Sequence, residues 1–194
     1  MNYFTGIGAT SITPDEDAFM VEIGILLTQR GLSLRSGKAP GSDRAFQKGV
    51  EIFMATGDYI RDHQIFLPWQ KFEKDNGEVS GAYDVWNFDP DQVAAAEAIV
   101  SKIHPVWDTL TRGQRLFHIR NAFQPLGLNL NEPSKLLIAC SDTDAGGLPR
   151  GGTRTAYKIA LDNNIPCINI RGLGRGIVMD WINKYCPEIE GESE

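Results

Sequence analysis

The sequence predicts an α/β fold in which a parallel sheet is covered by helices on both faces. Segments typical of strands and helices alternate in the order β-α-β-α-β, an insertion, and α-α-β-α-β-α, as in parallel sheets. The apolar run in KLLIA, from Lys135 to Ala139, indicates a strand that is buried on both faces. Glycine-rich turns follow three strands, and ligands of such sheets bind outside the carboxyl ends of the strands.

The composition is typical of a single globular domain. The chain has 194 residues, of which 42% are hydrophobic and 23% are charged. We expect one domain over residues 1–187 with an inserted aromatic loop at 68–88, followed by an acidic tail at 188–194. No apolar run approaches a membrane span of about 18 residues, and the start lacks the basic region of a signal peptide. We therefore expect a cytoplasmic protein with no membrane partner.

The charge and the reactive residues exclude several classes of function. With a net charge of −6 we expect no nucleic-acid partner, because such affinity depends on basic contacts to phosphate. Cys140, Cys167 and Cys186 are far apart and odd in number, so we expect reduced, buried thiols. No HExxH motif, carboxylate cluster or cysteine set has metal spacing, so we predict no metal and no cofactor. No GxSxG motif or Cys/His pair indicates a covalent nucleophile.

Capping residues mark the helix starts. Thr13, with Pro14 and Glu16, predicts a helix through a capping box. The stretch from Thr111 to Gln114 begins another helix in the same way, and Ser42 is the expected N-cap of the helix after the second glycine-rich turn. Further helices are predicted after Asp89, over Thr153 to Asn163 and over Arg175 to Tyr185. The first expected strand begins at Tyr3. Further strands are expected over Leu32 to Arg35, Gln64 to Leu67 and Cys167 to Ile170.

The inserted segment at 68–88 is polar but rich in aromatic residues. Loops of this length within a compact domain are usually functional or mobile. Its aromatic side chains either fold over a ligand or anchor the segment to the core, and the sequence leaves both interpretations open. The aromatic residues are Trp69, Phe72, Tyr83, Trp86 and Phe88.

Three turns share one design, in which a strand leads through small residues into a helix start. They lie at 5–10, 36–43 and 146–155. Glycine allows a ligand to approach the backbone closely, and a helix N-terminus favours phosphate. The turns therefore predict a phosphate-bearing ligand, unless the glycines serve turn geometry alone. None fits GxGxxG with a following acidic residue or GxxxxGK[ST], which argues against NAD dehydrogenases and P-loop NTPases.

The order of these motifs resembles the SLOG superfamily over about residues 3–172. This Rossmann-like group contains the DNA-processing protein DprA and the LOG phosphoribohydrolases, and the chain looks most like the compact DprA-like proteins of phage genomes. The resemblance implies a Rossmann-like sheet and, for a phage protein, a location in the host cytoplasm. The motifs are Thr5-Gly6, SGKAPGSDRAF (Ser36 to Phe46), FLPW (Phe66 to Trp69), HPVW (His104 to Trp107), HIRN (His118 to Asn121) with RNAFQPLG, and GGTRTA (Gly151 to Ala156) followed by NNIPCIN.

The resemblance also implies a nucleotide pocket formed by the first turn, the second turn, the HIRN helix and the GGTRT segment. Lys38 and Arg154 stand where the family has glycine. Each cation either faces ligand phosphate or pairs with a carboxylate such as Asp43 or Asp142. The expected ligand-binding residues are Thr5, Gly6, Gly37, Lys38, Ala39, Gly41, Asp43, His118, Arg120, Asn121, Gly151, Gly152, Thr153, Arg154 and Thr155.

One residue that the family's glycosidases use for cleavage, an acidic residue, has no counterpart in this sequence. In LOG hydrolases, a motif similar to HIRN acts with an acidic residue just after GGxGT. Thr155 is followed by Ala156, Tyr157 and Lys158, so this carboxylate is missing, and glycosidic cleavage generally uses a carboxylate to stabilise an oxocarbenium-like centre or to activate water. Asp43 could substitute for it, although helix capping explains Asp43 equally well. We therefore disfavour an enzyme and assign no catalytic residues.

The leading hypothesis is a protein that binds a nucleotide or a nucleotide-derived signalling molecule, with the ADP-ribose class as one candidate. SLOG domains of antiphage systems sense such signals, so a phage anti-defence protein would sequester one. The alternatives are a nucleoside 5'-monophosphate phosphoribohydrolase and a DprA-like single-stranded DNA mediator. The resemblance further implies a homo-oligomer. Trp107, Leu110, Phe117 and Trp181 are either its apolar interface or part of the core.

Overall fold

The structure is a computed structural model that describes residues 2–57, 63–73 and 82–188. These residues form a six-stranded parallel sheet and six α-helices, which confirms the predicted α/β class. Two short 3-10 helices lie at Val85–Asn87 and Trp107–Thr109. The strands are β1 (Tyr3–Gly8), β2 (Ser33–Ser36), β3 (Gln64–Leu67), β4 (Ala82–Asp84), β5 (Leu136–Cys140) and β6 (Cys167–Asn169). The helices are α1 (Pro14–Gln29), α2 (Ser42–Met54), α3 (Pro90–Ile103), α4 (Arg112–Leu126), α5 (Gly151–Asp162) and α6 (Arg175–Tyr185).

The strand order β4-β3-β2-β1-β5-β6 places a topological switch point between β1 and β5. From β1 the chain first extends the sheet through β2, β3 and β4, and then continues on the other side of β1 with β5 and β6. β1 pairs with β5 along its length, from Phe4 opposite Leu136 to Gly8 opposite Cys140. In open parallel sheets, the crevice outside the carboxyl ends at such a point is the usual ligand site.

Helices cover both faces of the sheet, as predicted. On one face, Phe4 of β1 packs in a core with residues of α1, α2 and α6, including Phe46. On the other face, Leu137 of β5 packs in a second core with residues of α3, α4 and α5, including Phe123. Every residue of β5 is fully buried, which confirms the two-sided burial expected from its apolar run.

Three of the predicted helix caps are confirmed and one is wrong. Asp89 caps α3, where its side chain accepts from the Asp91 N–H. Thr13 and Glu16 form a capping box at the start of α1, as Thr111 and Gln114 do at the start of α4. The N-cap of α2 is instead Gly41, whose φ of 76° is a left-handed conformation. The Ser42 hydroxyl is buried and donates to the carbonyls of Ala9 and Cys140, which ties α2 to the ends of β1 and β5.

The aromatic insertion is partly regular structure, because β4 lies within it and pairs in parallel with β3. Four of its five aromatic rings contact other rings, and the fifth, that of Trp86, is half exposed and lies against the Arg112 guanidinium. Trp69 and Phe72 meet Phe117 of α4 with centroids 4.9 and 5.4 Å away, and Tyr83 stacks on Phe66 at 5.7 Å. These contacts favour anchoring of the segment. Residues 74–81 of the insertion, and the predicted acidic tail beyond residue 188, lie outside the described residues.

The structure also bears on the expected membrane helices, the cysteines and the candidate interface residues. No helix in the described part of the chain is long and apolar enough to cross a membrane. The three cysteines are free, and Cys140 and Cys186 are buried whereas Cys167 is half-buried. The candidate interface residues pack against the two cores: Trp107 and Leu110 on the α3–α5 side, and Phe117 and Trp181 on the other.

Candidate functional site

A cavity of about 320 Å³, the central cavity, opens over the carboxyl ends of β1 and β2. Its walls are the turns after these strands, one side of α4 and the first turn of α5. The volume is at the lower end of the range of about 300–1,000 Å³ for small-molecule sites. Its position is the one that the turn pattern predicts. The expected ligand residues in its lining are Ala39, Asp43, His118, Arg120, Asn121, Gly152 and Thr153.

A second cavity of about 330 Å³ adjoins the first. His118 and Gly152 line both cavities. The second cavity lies between the loop after α3 and the first two turns of α5, and it brings in Gly151, Arg154 and Thr155 from the expected set. The two cavities therefore adjoin at the N-terminus of α5, where His118 and Gly152 lie between them.

A buried ion pair forms part of the central cavity wall. Asp43 Oδ2 lies 3.6 Å from Arg120 Nη1, and it accepts a hydrogen bond from the Ala39 N–H at 3.3 Å. Gly37 passes directly over this pair, so that a Cβ at position 37 would collide with the Arg120 guanidinium. The Gln124 amide, oriented to satisfy its neighbours, accepts from Arg120 Nη1 at 2.6 Å. The second turn is therefore built around the cation that α4 supplies.

Burial dominates the electrostatics of this pair. Burial raises the pKa of Asp43 to about 6, although Arg120 and the N–H groups of Ala39 and Gly8 act to lower it. Burial also lowers the pKa of Arg120, against the opposing effect of Asp43. The carboxyl therefore titrates close to neutral pH, and its charge is compensated by the guanidinium when it is ionised.

Two hydrogen bonds join α4 to the start of α5. His118 Nδ1 lies 2.9 Å from Thr155 Oγ1, and Asn121 Nδ2 donates to the Gly152 carbonyl at 2.9 Å. Burial, followed by the charges of His104 and Arg120, lowers the pKa of His118 to about 4. The imidazole is therefore neutral at physiological pH, and the HIRN motif positions the GGTRT segment.

The N-terminus of α5 faces both cavities. Among the described residues no side chain caps this helix, and its first turn contains no acidic residue. The N–H groups of a first helical turn have no intrahelical partner, and together with the helix dipole they attract anions. In α2, by contrast, Asp43 lies in the first turn. Of the two helix starts, α5 is therefore the better phosphate site.

The remaining expected residues lie outside the linings of both cavities. Thr5 Oγ1 is buried and donates to the Gln124 carbonyl at 2.9 Å, and Gly6 faces the Phe46 ring. Lys38 is buried with a φ of 64°, a conformation that favours the glycine of the family motif. Gly37 and Gly41 shape the turn before α2. These residues support the site from behind its surface.

Arg154 has a carboxylate partner that the sequence analysis did not name. It pairs with Asp144, in the loop between β5 and α5, rather than with Asp43 or Asp142. Asp144 also accepts from the N–H groups of Gly146 and Leu148 at 2.9 and 3.1 Å. The Asp144 carboxylate thus connects this loop to Arg154, close to the start of α5.

The sequence analysis missed several lining residues on α4. Gln114, Phe117 and Gln124 line the central cavity beside His118 and Asn121. They follow one another at spacings of one or three residues along a single side of the helix, so extending the helical period of HIRN in both directions would have found them. Thr10 was also missed, and so were His104 and Lys158 in the second cavity.

Within the described ranges, no group of three or more His, Cys, Asp or Glu side chains is arranged to hold a metal ion. Comparison of the chain with family models, with curated proteins and with solved structures returned no match. The fold and the site define an α/β protein with a cavity at the switch point of a parallel sheet. The resemblance to the SLOG superfamily rests on the sequence motifs.

Proposed function

We propose that the protein binds a nucleotide or a nucleotide-derived signalling molecule in the central cavity. The observation that carries the proposal is the position of the α5 N-terminus on the cavity wall. Within the described residues, no side chain caps this helix and its first turn contains no carboxylate. Backbone N–H groups in this arrangement suit a phosphate group. The location at the β1/β5 switch point supports the same interpretation.

The rest of the central cavity suits a nucleoside. Phe117 offers an aromatic ring, and aromatic rings stack on nucleobases. Gln114 offers the N–H groups of its amide, which can donate to base edges and sugar hydroxyls. Because Asp43 and Arg120 largely compensate each other, this wall places no strong net charge against an uncharged ring.

Sequestration of a signal by a phage anti-defence protein in the host cytoplasm extends the proposal by analogy with sensing SLOG domains. The test is mass spectrometry of the small molecules released when the purified protein is denatured by heat, followed by calorimetry with the molecule found. We expect a nucleotide-derived mass and reversible binding that leaves the molecule intact. Release of no such molecule, together with no calorimetric binding of AMP, GMP, ADP or ADP-ribose, would overturn the proposal.

A phosphoribohydrolase is the second candidate, and one observation favours it. Asp43 lines the cavity, and burial raises its pKa to about 6. A carboxyl group with such a pKa suits general acid–base chemistry. We rank this candidate second because Asp43 is already engaged by Arg120 and by the Ala39 N–H, and because no carboxylate follows Thr155.

A further inference from the structure

The second cavity is lined by two cationic side chains, Arg154 and Lys158, and by no described carboxylate. Arg154 is paired with Asp144, and the His118 ring in the same lining is neutral. Lys158 is therefore the cation of this lining that forms no ion pair within the described ranges. In the central cavity, by contrast, the cation Arg120 is compensated by Asp43. The two adjoining cavities therefore differ in the groups that they can accept.

Two polar groups that line the second cavity have no side-chain partner within the described residues. The Lys158 ammonium makes no hydrogen bond or ion pair with any residue in the described ranges, and the residue is half-buried. His104 Nδ1 is buried, and it too has no hydrogen-bond partner among the residues that the structure describes. Buried polar atoms are rarely left unsatisfied in folded proteins. An oxyanion in this cavity would supply an acceptor to both side chains.

The two cavities are contiguous around the α5 N-terminus. His118 and Gly152 belong to both linings, and the His104 ring lies 4.3 Å from the His118 ring. The hydrogen bonds of His118 to Thr155 and of Asn121 to Gly152 cross between α4 and α5 at the same place. A ligand that occupies both cavities would pass the first turn of α5 and reach Arg154 and Lys158.

We infer that the second cavity is an anion subsite for the same ligand and takes a phosphate group beyond the one at the α5 N-terminus. This inference rests on the proposed function. The ligand class is then a nucleotide that carries a diphosphate, either terminal, as in a nucleoside diphosphate, or bridging to a further sugar, as in ADP-ribose. A nucleoside monophosphate fills the central cavity alone and leaves Lys158 without a partner.

The test compares Lys158→Gln with the wild type by calorimetry. The probes are AMP, ADP, GMP, GDP, ADP-ribose and inorganic pyrophosphate. Lys48→Gln is the matched control, because Lys48 lies on α2 outside both linings and its side chain is largely exposed. We expect the wild type to bind a diphosphate about tenfold more tightly than the matching monophosphate, and Lys158→Gln to remove that advantage. Monophosphate affinity should stay within about twofold, and the control should change neither value.

The different probes distinguish a terminal from a bridging diphosphate, and they distinguish failure of the subsite from failure of the proposed function. If Lys158→Gln binds both ADP and ADP-ribose more weakly, the subsite takes the diphosphate itself. If the variant binds only ADP more weakly, the subsite takes a terminal phosphate. Equal effects of Lys158→Gln on monophosphate and diphosphate, or no effect on either, would overturn the subsite and leave the proposed function standing. If no nucleotide binds, the proposed function fails. Weaker pyrophosphate binding by the variant would still support the subsite, and unchanged pyrophosphate binding would overturn it.

Discussion

Asp43 and Arg120 form an ion pair in which Oδ2 and Nη1 are 3.6 Å apart and both side chains are less than a tenth exposed. The carboxylate comes from the first turn of α2 and the guanidinium from the middle of α4, so the pair joins elements on opposite faces of the sheet. The two side chains respond differently when the partner is removed. The carboxyl, with a pKa raised to about 6 by burial, can take up a proton, whereas a guanidinium stays charged.

This asymmetry predicts different costs for removing each partner. Asp43→Asn leaves a buried, charged Arg120, and we expect it to lower the free energy of unfolding by about 3 kcal/mol. Arg120→Met leaves a carboxyl whose pKa rises above 6, because Arg120 no longer lowers it. The carboxyl of the variant therefore takes up a proton at higher pH than in the wild type, so the cost should be smaller and should shrink as the pH falls from 8 towards 6. Urea unfolding at pH 8 and pH 5.5 measures both effects. Equal costs for the two variants at both pH values would contradict the argument.

Gly37 tests how closely the second turn follows Arg120. In Gly37→Ala the new methyl group collides with the guanidinium, so we expect a loss of about 1–3 kcal/mol in unfolding free energy and weaker nucleotide binding. The matched control is Gly113→Ala in the first turn of α4, where a Cβ meets no atom within 4 Å. That change should stabilise the helix slightly, by up to about 1 kcal/mol. A Gly37→Ala protein as stable as the wild type would show that the turn can move.

His118 predicts a pH dependence of known sign. Its pKa is lowered from 6.5 in the unfolded chain to about 4 in the folded protein, mainly by burial. The unfolded state therefore binds the extra proton between these values, and the stability from neutral His118 is present above pH 6.5 and is lost as the pH falls towards 4. Relative to His118→Gln, the wild type should lose melting temperature between pH 7.5 and pH 4.5.

Asp43 titrates in the same range with the opposite sign, since its raised pKa favours the folded state at low pH. Because Asp43 is present in both proteins, its contribution cancels in the comparison of the wild type with His118→Gln. A difference in melting temperature that stays constant between the two pH values would mean that the pKa of His118 is not lowered.

The elements that the sequence predicts best are those with strong local signals. The capping boxes at Thr13 and Thr111 depend on side chains three residues apart, and the burial of β5 follows from one apolar run. β4 has no comparable signal, because it has only three residues and none of them is buried. It becomes a strand by pairing with β3, and that pairing is not encoded in its own pattern. Ser42 is not the N-cap because it is already the first helical residue after Gly41, and its buried hydroxyl donates to the carbonyls of Ala9 and Cys140.

The site was predictable to the extent that motifs mark it. The glycine-rich turns and HIRN indicate the edge of the sheet where the cavities lie. The Asp43–Arg120 pair joins residues far apart in the chain, and no spacing rule connects them. His104 and Lys158 belong to no binding motif and become neighbours only when the loop after α3 packs beside α5. Lys38 was expected beside either a phosphate or a carboxylate, and the sequence did not predict that it is buried in a turn with a left-handed backbone.

A binding protein should leave its ligand intact. We expect no free base when the protein is incubated with nucleoside 5'-monophosphates and the mixture is analysed by chromatography, because the cavity carboxylate is engaged by Arg120 and the Ala39 N–H. Buffer without protein gives the background rate. Base release at an enzyme-like rate that disappears in Arg120→Ala would instead rank the phosphoribohydrolase first.

The last prediction places a negative charge at the proposed phosphate site. Gly152 lies in the first turn of α5, where a Cβ would be 3.3 Å from Asn121 Nδ2, so Gly152→Asp requires only a small adjustment. The new carboxylate competes for the same N–H groups and repels phosphate, and nucleotide affinity should fall by more than about a hundredfold. The control is Gly176→Asp, because Gly176 occupies the first turn of α6, where a Cβ meets no atom within 4 Å, and it lies outside both linings. Both variants should keep their melting temperatures, since an acidic residue suits a helix start. If calorimetry shows unchanged affinity for Gly152→Asp, the α5 N-terminus is not where phosphate binds.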